Sequence, residues 1–242
     1  MNTYQDKHND WLKYANQTLN WYSTDSYDTY QYNLKHKKHI LDAHNLTNYK
    51  ISYKFNSKGF RCEEFTDKPG IMFLGGSITQ GIGLPNSLTY PSIVAKELGL
   101  ECWNLSLQAK SYDTMFRVAL NFIEILKPKI LVADYELINR FELLDVDQTI
   151  DFIRDKQHSE KFFEEYYKVY VATEENTYIN ALKNTLSIQH LCYLNGVKFI
   201  DVTKVKLPFI NSINNSWARD LVHPGVKRHH DIANTILKEI NK

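Results

Sequence analysis

Glycine is scarce in this chain, since nine glycines among 242 residues are about half the share that globular proteins usually have. The three cysteines, Cys62, Cys102 and Cys192, lie far apart and form no C-x-x-C pair, which argues against zinc and redox motifs. No run approaches the ~18 apolar residues of a membrane-spanning helix. Lysine and arginine number 29 and aspartate and glutamate 28, so the net charge of +1 gives no reason to expect binding to nucleic acid.

These absences narrow the class of protein. We expect the cysteines to be reduced packing residues, and we expect neither a metal nor a cofactor. The first ten residues lack a cationic start followed by an apolar run, so no signal peptide is predicted. The expected location is the cytoplasm, with association with a virion or another export route left open. Neither a membrane nor a nucleic acid is an expected partner.

The N-terminal part of the chain differs in composition from the rest. Residues 1–48 are rich in tyrosine, asparagine, aspartate and lysine, and their apolar residues follow only a ragged helical period. Four tyrosines between positions 22 and 32 are too many for a solvated tail, so we expect packing on the core or on another subunit. An aromatic platform for sugars is the second interpretation. We therefore predict an aromatic-rich extension and arm, residues 1–66, and a second domain, residues 67–242, and leave open a homo-oligomer formed through the extension.

From position 71 to 240, short apolar runs alternate with amphipathic stretches. The predicted strands cover 71–74, 101–105, 129–135 and 197–202, and a half-exposed strand or arm precedes them at 49–55. The predicted helices cover 87–98, 111–126, 180–194 and 225–240, with one or two more within 148–170 and a loop over 203–222. This alternation predicts an α/β fold with a parallel sheet and right-handed crossovers. Ligands of such folds bind beyond the carboxyl ends of the strands.

Five of the nine glycines lie between positions 70 and 83, around a turn that follows the first predicted core strand. Gly75 and Gly76 allow the chain to turn sharply, because glycine adopts backbone angles that other residues avoid. Ser77 lies at the tip of this turn. A serine presented between a strand and a helix is a candidate nucleophile, and its own N–H can face a developing oxyanion.

Two phosphate-binding interpretations of the same turn fail on residue type. The loop G-x-x-x-x-G-K-[ST] has its glycine spacing from Gly76 to Gly81, but Ile82 stands where the lysine belongs. A dinucleotide-binding motif that begins at Gly81 has Asn86 in place of its last glycine, and Pro85 interrupts the turn. The nucleophile interpretation is therefore preferred.

A nucleophilic serine needs a base, and the base needs an acceptor that orients it. Asp220 and His223 are three residues apart, so one turn can place the carboxylate beside the imidazole. A free imidazole titrates near ~6.5, which suits a base at neutral pH. A metal site built from His223, His229 and Asp231 is the other interpretation, and no recognised ligand spacing supports it.

Three segments resemble the SGNH (GDSL-type) hydrolase superfamily. The first block of that family is similar to Phe73–Thr79, with Gly76 where an aspartate is common. The last block, Asp-x-x-His-Pro, is similar to Asp220–Pro224, and Asn56–Arg61 is similar to a segment that precedes the nucleophile in many members. The resemblance spans residues 56–240 and leaves the first 48 residues outside it.

The resemblance implies a flavodoxin-like fold, a three-layer α/β/α sandwich with a central parallel sheet. It also implies a catalytic triad of Ser77, Asp220 and His223. The oxyanion hole of the family would consist of the N–H groups of Ser77 and Ala109 and the side chain of Asn139. Ala109 stands where members have glycine, and Asn139 lies in a block without its usual glycine.

The implied activity is that of a serine esterase or deacylase. We expect a small acyl group, acetyl before others, on a small molecule or a carbohydrate, because nothing in the sequence resembles a lipid-binding lid. An acyltransferase with the same triad is one alternative. A catalytically weakened binding or structural protein with the same fold is another, since the second and third blocks depart from the family pattern.

Overall fold

A parallel sheet forms the centre of the fold. The computed structural model of the protein describes residues 10–135, 140–144, 149–153, 161–171, 173–202 and 216–242. In chain order the elements are β1 (Thr18–Leu19), α1 (Tyr27–His36), α2 (Lys38–Ala43), β2 (Tyr53–Lys54), β3 (Gly70–Gly75), α3 (Ser77–Gln80), α4 (Tyr90–Leu98), β4 (Glu101–Asn104), α5 (Tyr112–Leu126), β5 (Ile130–Asp134), β6 (Arg140–Leu144), β7 (Thr149–Ile153), α6 (Lys161–Tyr166), α7 (Glu174–Leu194), β8 (Lys198–Asp201) and α8 (Val226–Ile240). None of the helices in these described ranges is long and apolar enough to cross a bilayer.

The central sheet has the strand order β4-β3-β5-β8, and every neighbouring pair is parallel. Successive side chains of β3 point to opposite faces of the sheet. Met72 and Leu74 pack in the apolar layer of α5 and α7, while Ile71 and Phe73 pack in the layer of α4 and α8. The predicted fold class, a parallel sheet between two helical layers, is therefore confirmed, and so are the four predicted core strands.

Strand β3 lies in the middle of the structure. All six of its residues are buried, which is what a continuous apolar run needs when helices cover both faces of a sheet. Its register places Phe73 beside Asn104 of β4 and Val132 of β5. The carboxyl ends of these three strands therefore meet at one edge of the sheet, where the glycine-rich turn follows β3.

One stretch contains a strand as well as a predicted helix. Residues 148–170 are predicted to contain one or two helices and do contain α6, and Thr149–Ile153 within this stretch form β7, which pairs antiparallel with β6. The β-branched residues Thr149, Ile150 and Ile153 favour a strand, and the partner strand is close in the chain. Helix α7 begins at Glu174 instead of residue 180, and two glutamates in its first turn suit a helix N-terminus.

The cysteines have the packing role that the sequence predicts. All three are free, and Cys62 and Cys192 are buried. Burial raises the pKa of both Cys102 and Cys192 to about 12. Their thiols are therefore protonated at neutral pH and are poor nucleophiles.

Near the start of its described part, the N-terminal extension has a tryptophan that is buried against the core. Trp11 is 2% exposed, and its ring centroid lies 5.7 Å from that of Phe60 and 6.3 Å from that of Phe122 in α5. The guanidinium of Arg117 lies 4.9 Å from the same ring, a cation–π contact. The start of the extension thus shares the apolar layer of α5.

A second set of contacts joins the extension to the glycine-rich turn. Strand β1 pairs antiparallel with β2. Tyr22, Tyr53, Phe55 and Ile82 are buried members of one apolar cluster. Ile82 belongs to the turn that follows Ser77, so the extension packs directly behind that turn.

A buried ion pair joins the extension to the C-terminal segment. Both carboxylate oxygens of Asp25 accept hydrogen bonds from Arg219, from Nε at 2.9 Å and from Nη2 at 2.6 Å. The Tyr53 hydroxyl donates to the same carboxylate at 2.5 Å. The guanidinium also packs against the rings of Trp21 and Tyr30, 4.2 and 5.6 Å from their centroids. Because the pair is enclosed, each charge depends on the other for compensation.

These contacts belong to residues 10–55 and reach three separate parts of the core. The division of the chain into residues 1–66 and 67–242 stays a prediction. An extension that shares the core layer should unfold together with it, and one that merely rests on the surface should unfold separately.

Replacing Trp11 by alanine should lower the free energy of unfolding by about 3–5 kcal/mol, because a buried ring is lost and a cavity remains. Urea unfolding followed by circular dichroism measures this change. Leu12→Ala is the matched control, since Leu12 is adjacent in the chain but 44% exposed. Equal free energies of unfolding for the two variants, or a separate early transition in the wild type, would contradict a shared core.

Replacing Asp25 by asparagine keeps the shape of the side chain but leaves Arg219 buried without a counter-ion. We expect this change to lower the free energy of unfolding by about 3–5 kcal/mol. Asp42→Asn is the control, because Asp42 pairs with Lys38 on the surface, where ion pairs contribute little. An Asp25→Asn protein that is as stable as this control would show that the ion pair is not formed.

Candidate active site

Ser77 is the first residue of α3, and Gly76 alone separates it from the end of β3. Gly75 leaves no room for a side chain, because a Cβ there would lie 2.1 Å from Oγ1 of Thr79. Gly81 ends α3 in the left-handed region, with a φ of 77°. The turn therefore needs glycine at positions 75 and 81. It holds a partly exposed Ser77 at the carboxyl edge of the sheet.

A buried arginine holds the chain that follows Ser77. Arg61 donates from Nη1 to the carbonyl oxygens of Gln80, at 2.8 Å, and Gly81, at 2.6 Å. Its Nη2 donates to the carbonyl oxygen of Leu84 at 2.6 Å. Burial lowers the pKa of Arg61 to about 10, so the guanidinium stays charged at neutral pH. This arginine ends the segment Asn56–Arg61 that carries part of the family resemblance.

Asp220 and His223 are in contact, as their spacing predicts. Oδ2 of Asp220 lies 2.6 Å from Nδ1 of His223. The other carboxylate oxygen accepts the backbone N–H groups of Val222 and His223, each at 3.1 Å. Burial by itself would raise the pKa of Asp220, but the hydrogen bond and charge of His223, with a hydrogen bond from Thr24, outweigh it and hold the pKa below its usual range. Asp220 is therefore ionised at neutral pH.

The Asp220 segment packs on the turn that follows Ser77. The backbone N–H of Arg219 donates to the carbonyl oxygen of Gly83 at 3.0 Å. A Cβ on Gly83 would lie 2.7 Å from the Cβ of Ala218 and 3.2 Å from Oδ1 of Asp220. Two segments that are far apart in sequence thus approach so closely that only glycine fits between them.

The segment after β4 follows the same edge of the sheet. Asn104 donates from Nδ2 to the carbonyl oxygen of Thr79 at 2.8 Å, and the N–H of Leu107 donates to the carbonyl oxygen of Gly75 at 3.0 Å. Ala109 lies in an exposed turn with a φ of 57°. Glycine adopts this left-handed backbone readily and alanine does not. The position is therefore one where glycine, the residue of the resembled family, would fit without strain.

Asn139, the third predicted oxyanion donor, lies outside the described residues, and so do residues 203–215 of the predicted loop. The described part of β6 begins at the next residue, Arg140. The oxyanion hole formed by Ser77, Ala109 and Asn139 stays a prediction.

Two residues of the extension reach Asp220, and the sequence analysis does not identify them. Thr24 donates from its hydroxyl to Oδ2 of Asp220 at 2.7 Å. Asn33 of α1 donates from Nδ2 to the backbone carbonyl oxygen of Asp220 at 3.1 Å. No spacing or motif links positions 24 and 33 to position 220, so the sequence held no signal for either contact.

The alternative metal site does not fit the environment of His229. This side chain is buried in α8, and its Nδ1 accepts the backbone N–H of Tyr90 at 3.0 Å. Burial lowers the pKa of His229 to about 3, so it is neutral and its Nδ1 is engaged at the start of α4. Among the residues that the structure describes, no group of three or more histidine, cysteine, aspartate or glutamate side chains is arranged to hold a metal ion.

No family model and no curated protein matches this chain. Among solved structures, it is similar to a lipolytic protein of the G-D-S-L family from Veillonella parvula, with 11% identity, a TM-score of 0.39, and coverage of 72% of this chain and 98% of that one. It is also similar to a catalytic mutant of an acetylxylan esterase from Geobacillus stearothermophilus, with 16% identity, a TM-score of 0.39, and coverage of 72% and 94%.

A family two carbohydrate esterase from Clostridium thermocellum, in complex with cellohexaose, is similar with 14% identity, a TM-score of 0.39, and coverage of 72% of this chain and 63% of that one. The G-D-S-L family named for the first structure is the family that the sequence motifs resemble. The solved structures to which this chain is similar thus include G-D-S-L proteins and carbohydrate esterases, all at low sequence identity.

Proposed function

We propose that this protein is a serine esterase or deacylase that hydrolyses a small acyl ester with Ser77, His223 and Asp220. The observation that carries the proposal is that Asp220, which contacts His223, belongs to a segment that packs on the turn that follows Ser77. Nucleophile, base and orienting carboxylate are the three parts that this mechanism needs. The proposal places all three beyond the carboxyl ends of parallel strands, where ligands of such folds bind.

In the first step, Oγ of Ser77 attacks the carbonyl carbon of the ester while Nε2 of His223 takes the hydroxyl proton. The tetrahedral intermediate then collapses, the bond to the alcohol oxygen breaks, and His223 gives its proton to that oxygen. Water repeats the sequence on the acyl group bound to Ser77. The carboxylic acid is released, and Ser77 regains its proton from His223.

Asp220 orients the base in this mechanism. An ionised carboxylate only accepts hydrogen bonds, so Nδ1 of His223 carries the proton and Nε2 holds the free lone pair. The carboxylate charge also stabilises the imidazolium that forms when His223 accepts the serine proton. Both effects depend on the 2.6 Å contact between Asp220 and His223.

The proposed oxyanion hole consists of the N–H groups of Ser77 and Ala109 and the side chain of Asn139. One such donor is typically worth about 10²–10³ in rate. Only the N–H of residue 109 takes part, so alanine can serve there at the cost of a strained backbone. The N–H of Leu107 on the carbonyl of Gly75 supports this arrangement, because it ties the segment before Ala109 to the end of β3.

We propose an acetyl ester of a carbohydrate as the substrate class. Trp21 and Tyr27 form an edge-to-face pair with centroids 5.8 Å apart, and Tyr27 is 56% exposed. Trp21 also packs against Arg219, which directly precedes Asp220. Ligand sites combine aromatic surface with a few placed polar groups, and an aromatic pair that contacts the residue before Asp220 suits a sugar ring.

Replacing Ser77 by alanine should lower kcat for an acetyl ester by about 10⁴ or more, because the acyl group then has no nucleophile to bind. Hydrolysis of acetyl, butyryl and octanoyl esters by the wild type and the variant measures this change. We expect the wild type to prefer the acetyl ester. Ser187→Ala, which changes a half-buried serine of α7, is the control and should keep wild-type activity.

Three outcomes separate the candidate functions. Equal hydrolysis by the wild type and the Ser77→Ala protein would refute the nucleophile. Transfer of the acetyl group to an added sugar in preference to water would identify an acyltransferase with the same triad. Inactivity of the wild type toward the whole panel and toward acetylated oligosaccharides would favour a binding protein.

A further inference from the structure

The N-terminal extension contains a tight turn whose tip reaches the carboxylate of Asp220. Tyr22 and Asp25 form its base, with backbone hydrogen bonds of 3.0 and 3.2 Å in the two directions. Ser23 has a φ of 59°, the left-handed backbone that such a short connection needs. Thr24 is the other residue of the tip, and it is the one that contacts Asp220.

Both ends of this turn are anchored in buried structure. On one side the ring of Tyr22 lies 5.4 Å from that of Tyr53 and 5.1 Å from that of Phe55, measured between centroids. On the other side Asp25 is held by Arg219 through two hydrogen bonds. A short turn with two buried ends has little freedom, so the position of the Thr24 hydroxyl is set before any substrate arrives.

From the residues that the structure describes, the carboxylate of Asp220 receives four hydrogen bonds. Two backbone N–H groups donate to Oδ1, and Nδ1 of His223 and the hydroxyl of Thr24 both donate to Oδ2. The hydroxyl oxygen of Thr24 also lies 3.4 Å from Nδ1 of His223. Three of the four donors come from the same short segment as Asp220, and only Thr24 comes from outside it.

We propose that Thr24 is a positioning residue for the reaction, supplied by the N-terminal extension, which orients Asp220 and shares its Oδ2 with His223. This role rests on the proposed function of Asp220 and His223. It makes the extension a functional part of the site, although the resemblance to the hydrolase family begins only at residue 56, well after Thr24.

Apart from His223, the described side chains around this contact offer Thr24 no competitor for Oδ2. Arg219, the adjacent cation, is bonded to Asp25 and to backbone carbonyl oxygens. His229 of α8 is neutral, since burial lowers its pKa to about 3. From the turn after Ser77, the group that approaches Asp220 is Gly83, which carries no charge.

Because Thr24 and His223 share Oδ2, removing the Thr24 hydroxyl should change the hydrogen bond between Asp220 and His223 in a definite direction. A carboxylate oxygen that accepts two hydrogen bonds has less charge to offer each donor. Without the Thr24 hydroxyl, Oδ2 would hold the Nδ1–H of His223 more strongly and stabilise the imidazolium more. The base would then lose its proton only at higher pH, and the carboxylate would lose a lateral support that fixes the angle of the imidazole.

The test is Thr24→Val, which has the same shape but no hydroxyl. We expect kcat for an acetyl ester to fall about tenfold with little change in KM. This loss is a part of the rate enhancement that a well-positioned acid–base group supplies. We also expect the acid limb of the pH profile of kcat/KM to move to higher pH. Thr24→Ser keeps the hydroxyl and should restore both. Thr47→Val is the matched control, because it removes a threonine–carboxylate hydrogen bond, to Asp42, elsewhere in the extension.

A readout without turnover separates this proposal from the proposed function. The proton on Nδ1 of a histidine bonded to a carboxylate resonates far downfield, and a stronger hydrogen bond moves it further. We expect this resonance of His223 to move downfield in Thr24→Val and to stay in place in Thr24→Ser and Thr47→Val. This movement would support the positioning role even in a protein without esterase activity.

Three results would overturn the role of Thr24. The first is a Thr24→Val protein with the wild-type pH profile and the wild-type Nδ1 resonance. The second is a Thr24→Ser protein that loses as much kcat as Thr24→Val. The third is an equal loss of kcat in Thr47→Val, which would show that any lost hydrogen bond in the extension has the same effect. Urea midpoints of all variants check that folding is intact.

Discussion

The buried ion pair between Asp25 and Arg219 is the interaction on which the rest of the site depends. Its two partners belong to segments at opposite ends of the chain, and its burial requires both to stay in place. Arg219 directly precedes Asp220, and its N–H holds Gly83 in the turn after Ser77. One enclosed pair of charges therefore sets the relative position of the extension, the proposed acid–base pair and the proposed nucleophile.

The hydrogen bonds around this pair extend the same constraint. Tyr53 donates to Asp25 and accepts the N–H of Gly83, while Arg61 holds three carbonyl oxygens of the neighbouring chain. Each of these bonds ends on backbone or on a buried charge. A flexible turn with several glycines thus becomes rigid, because the surroundings supply the restraint that its own side chains cannot. The proposed reaction needs such preorganisation, because its reacting groups must be held in the right geometry without first rearranging.

Local patterns in the sequence predict the sheet and part of the site. They fail for a strand whose apolar spacing also fits a helix, and for contacts between residues that are far apart in the chain. Continuous apolar runs identify the core strands, and the three-residue spacing of Asp220 and His223 predicts their contact. The strand β7 is missed because its apolar residues also fit a helical period. Thr24 and Asp25 are missed because their partners lie nearly two hundred residues away, and no local period carries such information.

His223 is proposed to activate Ser77, and chemical labelling of that serine detects such activation. A fluorophosphonate reacts with serines that a neighbouring base has activated, and peptide mass spectrometry locates the adduct. We expect one adduct, on the peptide that contains Ser77, and its loss when His223 is replaced by alanine. An adduct on another serine, or labelling of Ser77 that survives in the His223→Ala protein, would contradict it.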